Sequence, residues 1–275
     1  MKRVSIKELI PKHKISIDPR RHLLAQQWYN LNDIQDVKFT HREPHNFRDK
    51  FALRWIGGLR LFVDALTGKD AQKRDAKTWF NRMVLLESIA PIPGLVVGTA
   101  KYFKNLKDMK TDRALVHFML EESENERTHL YLWLNYQKPK FISRMGIAFK
   151  QIAFWNVFFL TYIFSPYVCH RFMGYLEEEA IYNYTMFLKQ IDNGNLKELQ
   201  NEPAPKLAKD YYNLPEDAKF RDMLLALRAD EVVHREFNHY FCELQKKDDV
   251  DLLNVDDINL DTAHIRFQEN PEPTK

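Results

Sequence analysis

The sequence of 275 residues predicts an all-α protein. Apolar side chains recur every three to four residues over long segments, which is the spacing of one face of a helix. The chain contains only 8 glycines, and its 12 prolines lie mostly outside these periodic segments. No segment of similar length alternates apolar and polar residues as a strand would. The scarcity of glycine also argues against a β-sandwich and against a glycine-rich nucleotide-binding loop.

The first predicted helix is Phe51–Leu66, whose apolar residues fall on one stripe. That stripe consists of Trp55, Ile56, Leu59, Phe62, Val63 and Leu66. The second helix is predicted from Thr78, a candidate N-cap, to about Ala90. Pro91 and Pro93 are expected to kink or end it, because proline lacks the backbone N–H that a helix interior uses.

Four later helices are bounded by prolines and by a turn signal. They are Thr111–Gln137, Lys140–Phe164, Tyr167–Asp192 and Glu216–Lys247. Pro139 and Pro166 separate the first three of these, and Asn193-Gly194 ends the third. The stretch Asn195–Pro215 is expected to be a polar connection.

The helical region, residues 46–247, lies between two segments of different composition. Residues 1–45 are basic and irregular, and are either part of a mitochondrial presequence or an extended arm. Residues 248–275 are acidic and then proline-rich, and are expected to form a poorly ordered tail. Cys169 and Cys242 are too few for a disulfide framework or a cysteine-rich zinc site. The net charge of +3 is too small to indicate nucleic acid as a partner, and the mean hydropathy of −0.49 excludes a polytopic membrane protein.

Two of the helices are predicted to attach the protein to one leaflet of a membrane. No charged residue occurs between Gln151 and Cys169, but polar residues such as Asn156 leave an apolar helical run too short for a span. Phe51–Leu66 combines large apolar side chains with arginines, a pattern typical of interfacial helices. The alternative is that Phe51–Leu66 and Lys140–Phe164 are ordinary core helices.

A metal centre is indicated by two Glu-x-x-His motifs, Glu126–His129 and Glu231–His234. Residues three apart on a helix are neighbours on its surface, so both side chains of a motif can bind one metal ion. Each motif shares its helix face with apolar residues, which predicts burial. A third match, Glu236–His239, falls on a charged face that is expected to be solvated.

Glu87 and Glu177 complete the predicted ligand set. Glu87 has apolar neighbours on its helix, and within Glu177-Glu178-Glu179 only Glu177 lies over an apolar stripe. One glutamate from each of two helices, plus Glu-x-x-His from each of two others, is the arrangement of di-iron carboxylate bundles. Mixed oxygen and nitrogen ligands suit iron or manganese, and four carboxylates balance two divalent cations. The predicted fold is therefore a ferritin-like four-helix bundle with a di-iron centre, plus two membrane-surface helices.

At these motifs, from about Phe51 to Lys247, the chain resembles the alternative oxidase family of mitochondrial non-haem ubiquinol oxidases. The similar stretches are Arg82–Glu87, Asn125–His129, His170–Ala180 and Arg228–His234. The resemblance implies that the six residues bind two iron ions and that Tyr184 is a redox-active tyrosine. It implies a quinol pocket formed by Arg60, Arg82, Leu86, Leu176, Glu179 and Ala180.

The resemblance also implies a homodimer on the matrix side of the mitochondrial inner membrane. Such an enzyme couples ubiquinol oxidation to the reduction of O2 to water without pumping protons, and cyanide does not inhibit it because it lacks haem. The chain departs from the family at Asn183, where threonine is usual, and at Tyr212, where some members have tryptophan. The alternatives are a di-iron hydroxylase or desaturase, a plastid-type quinol oxidase and, more remotely, a ferritin-like iron-binding or structural protein.

In the predicted helix Tyr167–Asp192, two tyrosines lie on different faces relative to Glu177. Tyr184 follows Glu177 by seven residues and therefore returns to within about 20° of the same face. Tyr182 follows Glu177 by five residues and points about 140° away. Without the resemblance, a packing role for Tyr184 remains an alternative to a role in electron transfer.

Overall fold

The computed structural model describes Tyr29 and residues 31–37, 39–110 and 115–244. Within these ranges the chain is helical, without a β-strand, so the all-α prediction is confirmed. The helices are α1 (Phe47–Thr67), α2 (Ala76–Glu87), α3 (Pro91–Asp108), α4 (Leu115–Leu134), α5 (Phe141–Phe164), α6 (Pro166–Asp192), α7 (Lys206–Tyr212) and α8 (Phe220–Leu244). The predicted tail, the predicted helix start at Thr111 and the predicted end at Lys247 lie outside the described residues.

Side-chain caps fix the beginnings of the first two helices. Asn46 and Asp49 form a capping box at α1, in which each side chain accepts from the other's backbone N–H. α2 is capped by Asp75, whose Oδ1 accepts from the N–H of Thr78 at 2.8 Å. The prediction of Thr78 as the N-cap is therefore wrong by three residues, because the helix begins one turn earlier and the Thr78 N–H is itself the donor that Asp75 caps.

Helix α3 was not predicted as a separate element. It begins at Pro91, where proline is tolerated because the first residues of a helix need no intrahelical acceptor for their N–H groups. Gly94 then allows a close approach to α4, since a Cβ atom there would lie 2.6 Å from the carbonyl oxygen of Met119. α3 therefore packs tightly on α4.

The predicted polar connection Asn195–Pro215 is also wrong, because much of it is structured and buried. It contains a 3-10 turn at Lys197–Leu199 and the helix α7. Tyr211 and Tyr212 of α7 are each 1% exposed and join the core. α8 begins at Phe220 rather than at Glu216, since the Phe220 N–H donates to the Glu202 carbonyl at 2.7 Å across this connection.

The bundle is built from α2, α4, α6 and α8, and α6 packs against α8 along most of its length. Its interior holds two apolar clusters, one containing Trp79, Trp133 and Phe220 and the other containing Phe172 and Phe241. On α4, α6 and α8, the predicted metal residues lie between a residue of one cluster and a residue of the other, and Glu87 at the end of α2 lies between Val84 and Ile89 in the same way. The acidic side chains are therefore enclosed by apolar packing on both sides.

The helices α1 and α5 expose large apolar side chains on the outside of the bundle. Phe149 is 73% exposed and Ile152 is 65% exposed on α5, while Leu61 is 67% exposed on α1. By length and composition, residues 76–108 and α5 are each apolar enough to cross a membrane, but the apolar window of the former is 67% buried and that of α5 only 6%. α5 therefore does not pack as a core helix of this chain.

Candidate metal centre

The four bundle helices bring all six predicted metal residues into one buried cluster. Two overlapping groups share the property that their ligand atoms lie within 4.8 Å of one another. One group is Glu87, Glu126, His129 and Glu231, and the other is Glu126, Glu177, Glu231 and His234. Glu126 and Glu231 belong to both groups, so they would be shared if each group held one ion.

Several buried oxygen and nitrogen atoms of this cluster have no hydrogen-bond partner among the described residues. They include both carboxylate oxygens of Glu126 and Glu231, and Nδ1 of both histidines. His234 Nδ1 lies 2.8 Å from Glu126 Oε1, an ion-pair contact that stabilises the charge of Glu126. A buried carboxylate without a partner is costly unless a cation neutralises it. Four carboxylates and two imidazoles therefore fit two divalent ions of the iron or manganese type.

The pKa values of the carboxylates show that burial opposes the ionised form of some of them. Burial raises the pKa of Glu87 to about 8. Burial, together with the charges of Glu231 and Glu126, raises the pKa of Glu177 well above its usual range. The pKa of Glu126 is lowered although burial opposes this, because His129 and His234 stabilise its charge. The protein alone therefore does not stabilise all these carboxylates in their ionised forms.

His129 is oriented by Asp230, which sequence reasoning missed. His129 Nε2 lies 3.0 Å from Asp230 Oδ2, so Nε2 carries a proton, and Nδ1 is the ring atom that faces the carboxylates of the cluster. Asp230 also accepts from Tyr212 Oη at 2.7 Å, from Asn125 Nδ2 at 2.8 Å and from Tyr29 Oη at 2.5 Å. The one available signal was the position of Asp230 directly before the ligand candidate Glu231.

The hydroxyl of Tyr184 contacts the cluster directly. Tyr184 is fully buried, and its Oη donates to Glu87 Oε1 at 2.6 Å. The Nε1–H of Trp133 donates to the same Oη at 3.2 Å. The prediction that Tyr184 faces the cluster thus agrees with the geometry, although its partner is Glu87 rather than Glu177. Tyr182 lies on another side of α6, where its ring packs against Phe39.

A largely apolar cavity reaches the cluster from the side of α1. Its lining includes Leu59, Met83, Leu86, Ile89, Leu176 and Ala180, together with the metal candidates Glu87, Glu126, Glu177 and Glu231. A second cavity shares Leu59, Leu86, Leu176, Glu179 and Asn183 with the first and extends to Arg60 and Arg82. All six predicted quinol-pocket residues therefore line one or both of these cavities.

The model of the family described as Alternative oxidase matches residues 29–243. The chain belongs to the alternative oxidase family. It is 43% identical over 213 residues to the mitochondrial ubiquinol oxidase of Batrachochytrium dendrobatidis, covering 78% of this chain and 64% of that protein. It is 38% identical over 231 residues to the mitochondrial alternative oxidase of Yarrowia lipolytica, covering 80% and 65% respectively.

A third relative, the mitochondrial alternative oxidase of Emericella nidulans, is 38% identical over 243 residues, covering 84% of this chain and 69% of that protein. The chain spans about two thirds of the length of these curated relatives. The predicted family resemblance is confirmed.

In this alternative oxidase chain, Asn183 holds one of the two arginines of the cavity wall. The Nε–H of buried Arg82 donates to Asn183 Oδ1 at 2.7 Å, and its Nη1 donates to Asp64 Oδ1 at 2.8 Å. Arg60 is more exposed, and its Nη1 donates to Glu179 Oε1 at 3.0 Å. Both guanidinium groups are therefore held in place by carboxylates.

The prediction that Glu236–His239 lies on a solvated face is wrong. His239 is 7% exposed and belongs to neither metal group. Its Nε2 contacts Glu178 Oε1 at 2.9 Å, and Glu178 is buried although only Glu177 of its triplet was predicted over the apolar stripe. The charged face of α8 is covered by α6 and by the segment before α1. The spacing of residues within α8 cannot predict this coverage.

A second buried polar chain crosses the bundle beside the metal residues of this family member. Asn238 Nδ2 donates to Glu122 Oε2 at 2.9 Å, and Asn238 Oδ1 lies 3.1 Å from His170 Nδ1. Burial raises the pKa of Glu122 to about 8 and lowers the pKa of His170 to about 4. Both groups are therefore neutral over most of the range between these values.

Proposed function

We propose that this protein is a ubiquinol oxidase that transfers four electrons from two ubiquinol molecules to O2, giving two water molecules without pumping protons. The observation that carries the proposal is the contact between an apolar cavity and a buried cluster in which both carboxylate oxygens of Glu126 and Glu231 lack hydrogen-bond partners. Membership of the alternative oxidase family and the name of the ubiquinol oxidase relative support the same activity.

Two iron ions are the proposed cofactor, and each would be held by residues of different helices. Glu87 and His129 would hold one ion and Glu177 and His234 the other, while Glu126 and Glu231 would be shared. When bound, iron supplies the redox chemistry that O2 reduction requires. Asp230 fixes the His129 ring, so that Nδ1 rather than Nε2 is available as the ligand atom.

Tyr184 is the proposed redox-active residue of the site. Its Oη carries the proton that it donates to Glu87 Oε1, and it lies next to the cluster in surroundings closed to water. Loss of that hydrogen from the phenol would deliver one electron and one proton to the reacting oxygen, and quinol would restore the hydrogen.

The two cavities are proposed to hold the ubiquinol head group. Leu86, Leu176 and Ala180 provide the apolar wall that excludes water. Arg60 and Arg82 line this space and would donate to the quinol oxygens, while Glu179 would hold Arg60 in position through their ion pair. An apolar substrate would enter this space from the lipid side of α1.

The helices α1 and α5 are proposed to attach the protein to the matrix side of the mitochondrial inner membrane. The support is their exposed apolar faces and the mitochondrial names of the relatives. α3 also exposes Tyr102, Phe103 and Leu106, which supports a homodimer through this side of the bundle. Nucleic acid is not a proposed partner.

The test is O2 uptake by purified, iron-loaded protein supplied with a short-chain ubiquinol, with and without cyanide. We expect uptake of one O2 for every two quinols, unchanged by cyanide. Glu126→Gln should abolish it, whereas Glu124→Gln should not, because Glu124 is exposed and pairs with Arg127 outside the cluster. Iron-loaded protein that consumes no O2 with quinol, but desaturates or hydroxylates a lipid or stores iron, would refute the proposal.

A further inference from the structure

Glu178 is a buried carboxylate that the proposed reaction does not use. It follows Glu177 directly on α6, so the two side chains leave the helix about 100° apart. Glu178 Oε1 accepts from the Arg42 backbone N–H at 2.8 Å and lies 2.9 Å from His239 Nε2. Glu178 Oε2 lies 2.6 Å from His41 Nδ1. One carboxylate on α6 is thus bonded to α8 and to the segment before α1.

The hydrogen-bond direction through His239 is determined by its other partner. Arg171 Nη1 lies 2.9 Å from His239 Nδ1, and a guanidinium group only donates. Nδ1 is therefore the acceptor, and Nε2 carries the proton that is donated to Glu178. Arg171 Nε in turn donates to Asp49 Oδ1 at 2.9 Å, which ties the chain of bonds to the capping box of α1.

The close contact between α6 and the His239 ring restricts both rotation of the helix and movement of the ring. A Cβ atom on Gly174 would lie 2.3 Å from His239 Nδ1, so the ring rests directly against the backbone of α6. Rotation of α6 about its axis would break the bonds of Glu178 and move this contact. A carboxylate oxygen about 6 Å from the helix axis moves about 1 Å for a rotation of about 10°.

We propose that Glu178 is a positioning residue, which fixes the rotation of α6 through its three hydrogen-bonded contacts and thereby directs the Glu177 carboxylate at the metal centre. The inference rests on the proposed metal site. His41 and Arg42 bond to Glu178 directly beside Glu177, so the segment before α1 also helps to fix the rotation of α6. Removing a residue that supports a metal ligand typically lowers metal affinity or activity by about 10–100-fold. We expect a loss of metal affinity of the same size when Glu178 is replaced by leucine.

The test uses Co²⁺ alone as the probe, titrated into metal-free protein. We expect Glu178→Leu to weaken Co²⁺ binding by about 10–100-fold and to change the visible spectrum of the bound ion. Glu178→Gln should remain within about threefold of the parent, because its amide oxygen still accepts from Arg42 and His239 and its amide N–H donates to neutral His41. In the iron-loaded enzyme, Glu178→Leu should lower kcat and leave the KM for quinol unchanged.

Glu124→Leu is the control, since Glu124 lies two residues before the ligand candidate Glu126 but is exposed. If Glu178→Leu keeps the parental affinity and spectrum, or if Glu178→Gln is as weak as Glu178→Leu, the positioning role is refuted. His41→Ala decides the question if Glu178→Leu does not fold, because the His41 side chain is 28% exposed. We expect a severalfold loss of affinity from His41→Ala, and an unchanged affinity would overturn the proposal. Failure of the parent chain and of Glu124→Leu to bind Co²⁺ would instead reject the metal centre itself and, with it, the positioning role.

Discussion

Replacing Tyr184 by phenylalanine removes one oxygen atom from the wall of the metal cluster. The change takes a donor from Glu87 Oε1, at 2.6 Å, and an acceptor from the Trp133 Nε1–H, at 3.2 Å. Trp133 is fully buried, so its N–H loses its partner at a cost of about 1–3 kcal/mol. For a protein of this size that loss lowers the melting temperature by roughly 2–12 °C. The ring itself still fills its space, and we expect the variant to fold and to retain its iron.

The expected loss of activity is far larger than the loss of stability. The phenol of Tyr184 is the proposed source of a hydrogen atom for the reaction, and phenylalanine has none to give. We expect kcat to fall by about 10²–10⁴-fold, the range that positioned proton donors typically contribute. Ubiquinol-dependent O2 uptake at matched iron content measures this fall, and a thermal melt of the same sample measures the change in stability.

Tyr182→Phe is the matched control, because Tyr182 lies on the same helix but packs against Phe39 away from the cluster. Its turnover and melting temperature should remain close to those of the parent. If Tyr184→Phe retains most of its turnover at normal iron content, Tyr184 is a packing residue and the reasoning fails.

The remaining predictions concern the metal ligands, the pH dependence and the membrane face. His234→Ala should abolish quinol oxidation and strongly lower the iron content determined by mass spectrometry. His239→Ala removes one contact of Glu178, so it should lower the iron content much less and mainly lower the melting temperature. The reverse pattern of iron loss would contradict the ligand assignment. Burial lowers the pKa of His170 from 6.5 to about 4, so between these values the unfolded chain binds a proton that the folded chain does not. The stability of metal-free protein that depends on neutral His170 should therefore be complete above about pH 6.5 and be lost as the pH falls toward 4. His170→Asn should flatten the profile of melting temperature against pH in that window, and the same change at exposed His117 should not. Ile152→Glu places a charge on the exposed face of α5 and should reduce flotation with lipid vesicles without altering the helical circular dichroism; undiminished flotation would refute attachment through α5.

The sequence by itself determined which residues of each helix share a face. The spacing in Glu126–His129 and Glu231–His234, and the apolar neighbours of Glu87, were enough to predict the six metal candidates. Helical phase is a local property of the backbone, because side chains three or four residues apart are neighbours whatever packs against them. The structure then shows these six side chains gathered in one buried cluster.

The spacing of apolar residues did not predict helix ends or the burial of polar segments where these are determined by packing against other parts of the chain. Pro91 was expected to interrupt a helix, but proline is equally suited to begin one, and only the packing of Gly94 on α4 accounts for α3. α7 was mistaken for a polar connection because its short length carries little periodicity. Its tyrosines are buried by the bundle rather than by their own helix.

The tertiary structure alone decided which polar groups are buried beside the cluster. The sequence pattern did not predict Asp230 or Glu178 as buried polar groups and placed His239 on a solvated face, yet each is bonded to a partner distant in the chain. A buried charge destabilises the fold unless hydrogen-bond donors from other elements compensate for its lost hydration. How the helices pack determines where those donors lie. Periodicity within one helix was therefore enough to predict the ligand candidates, while the polar groups beside them became apparent only from the packing of α6, α8 and the segment before α1.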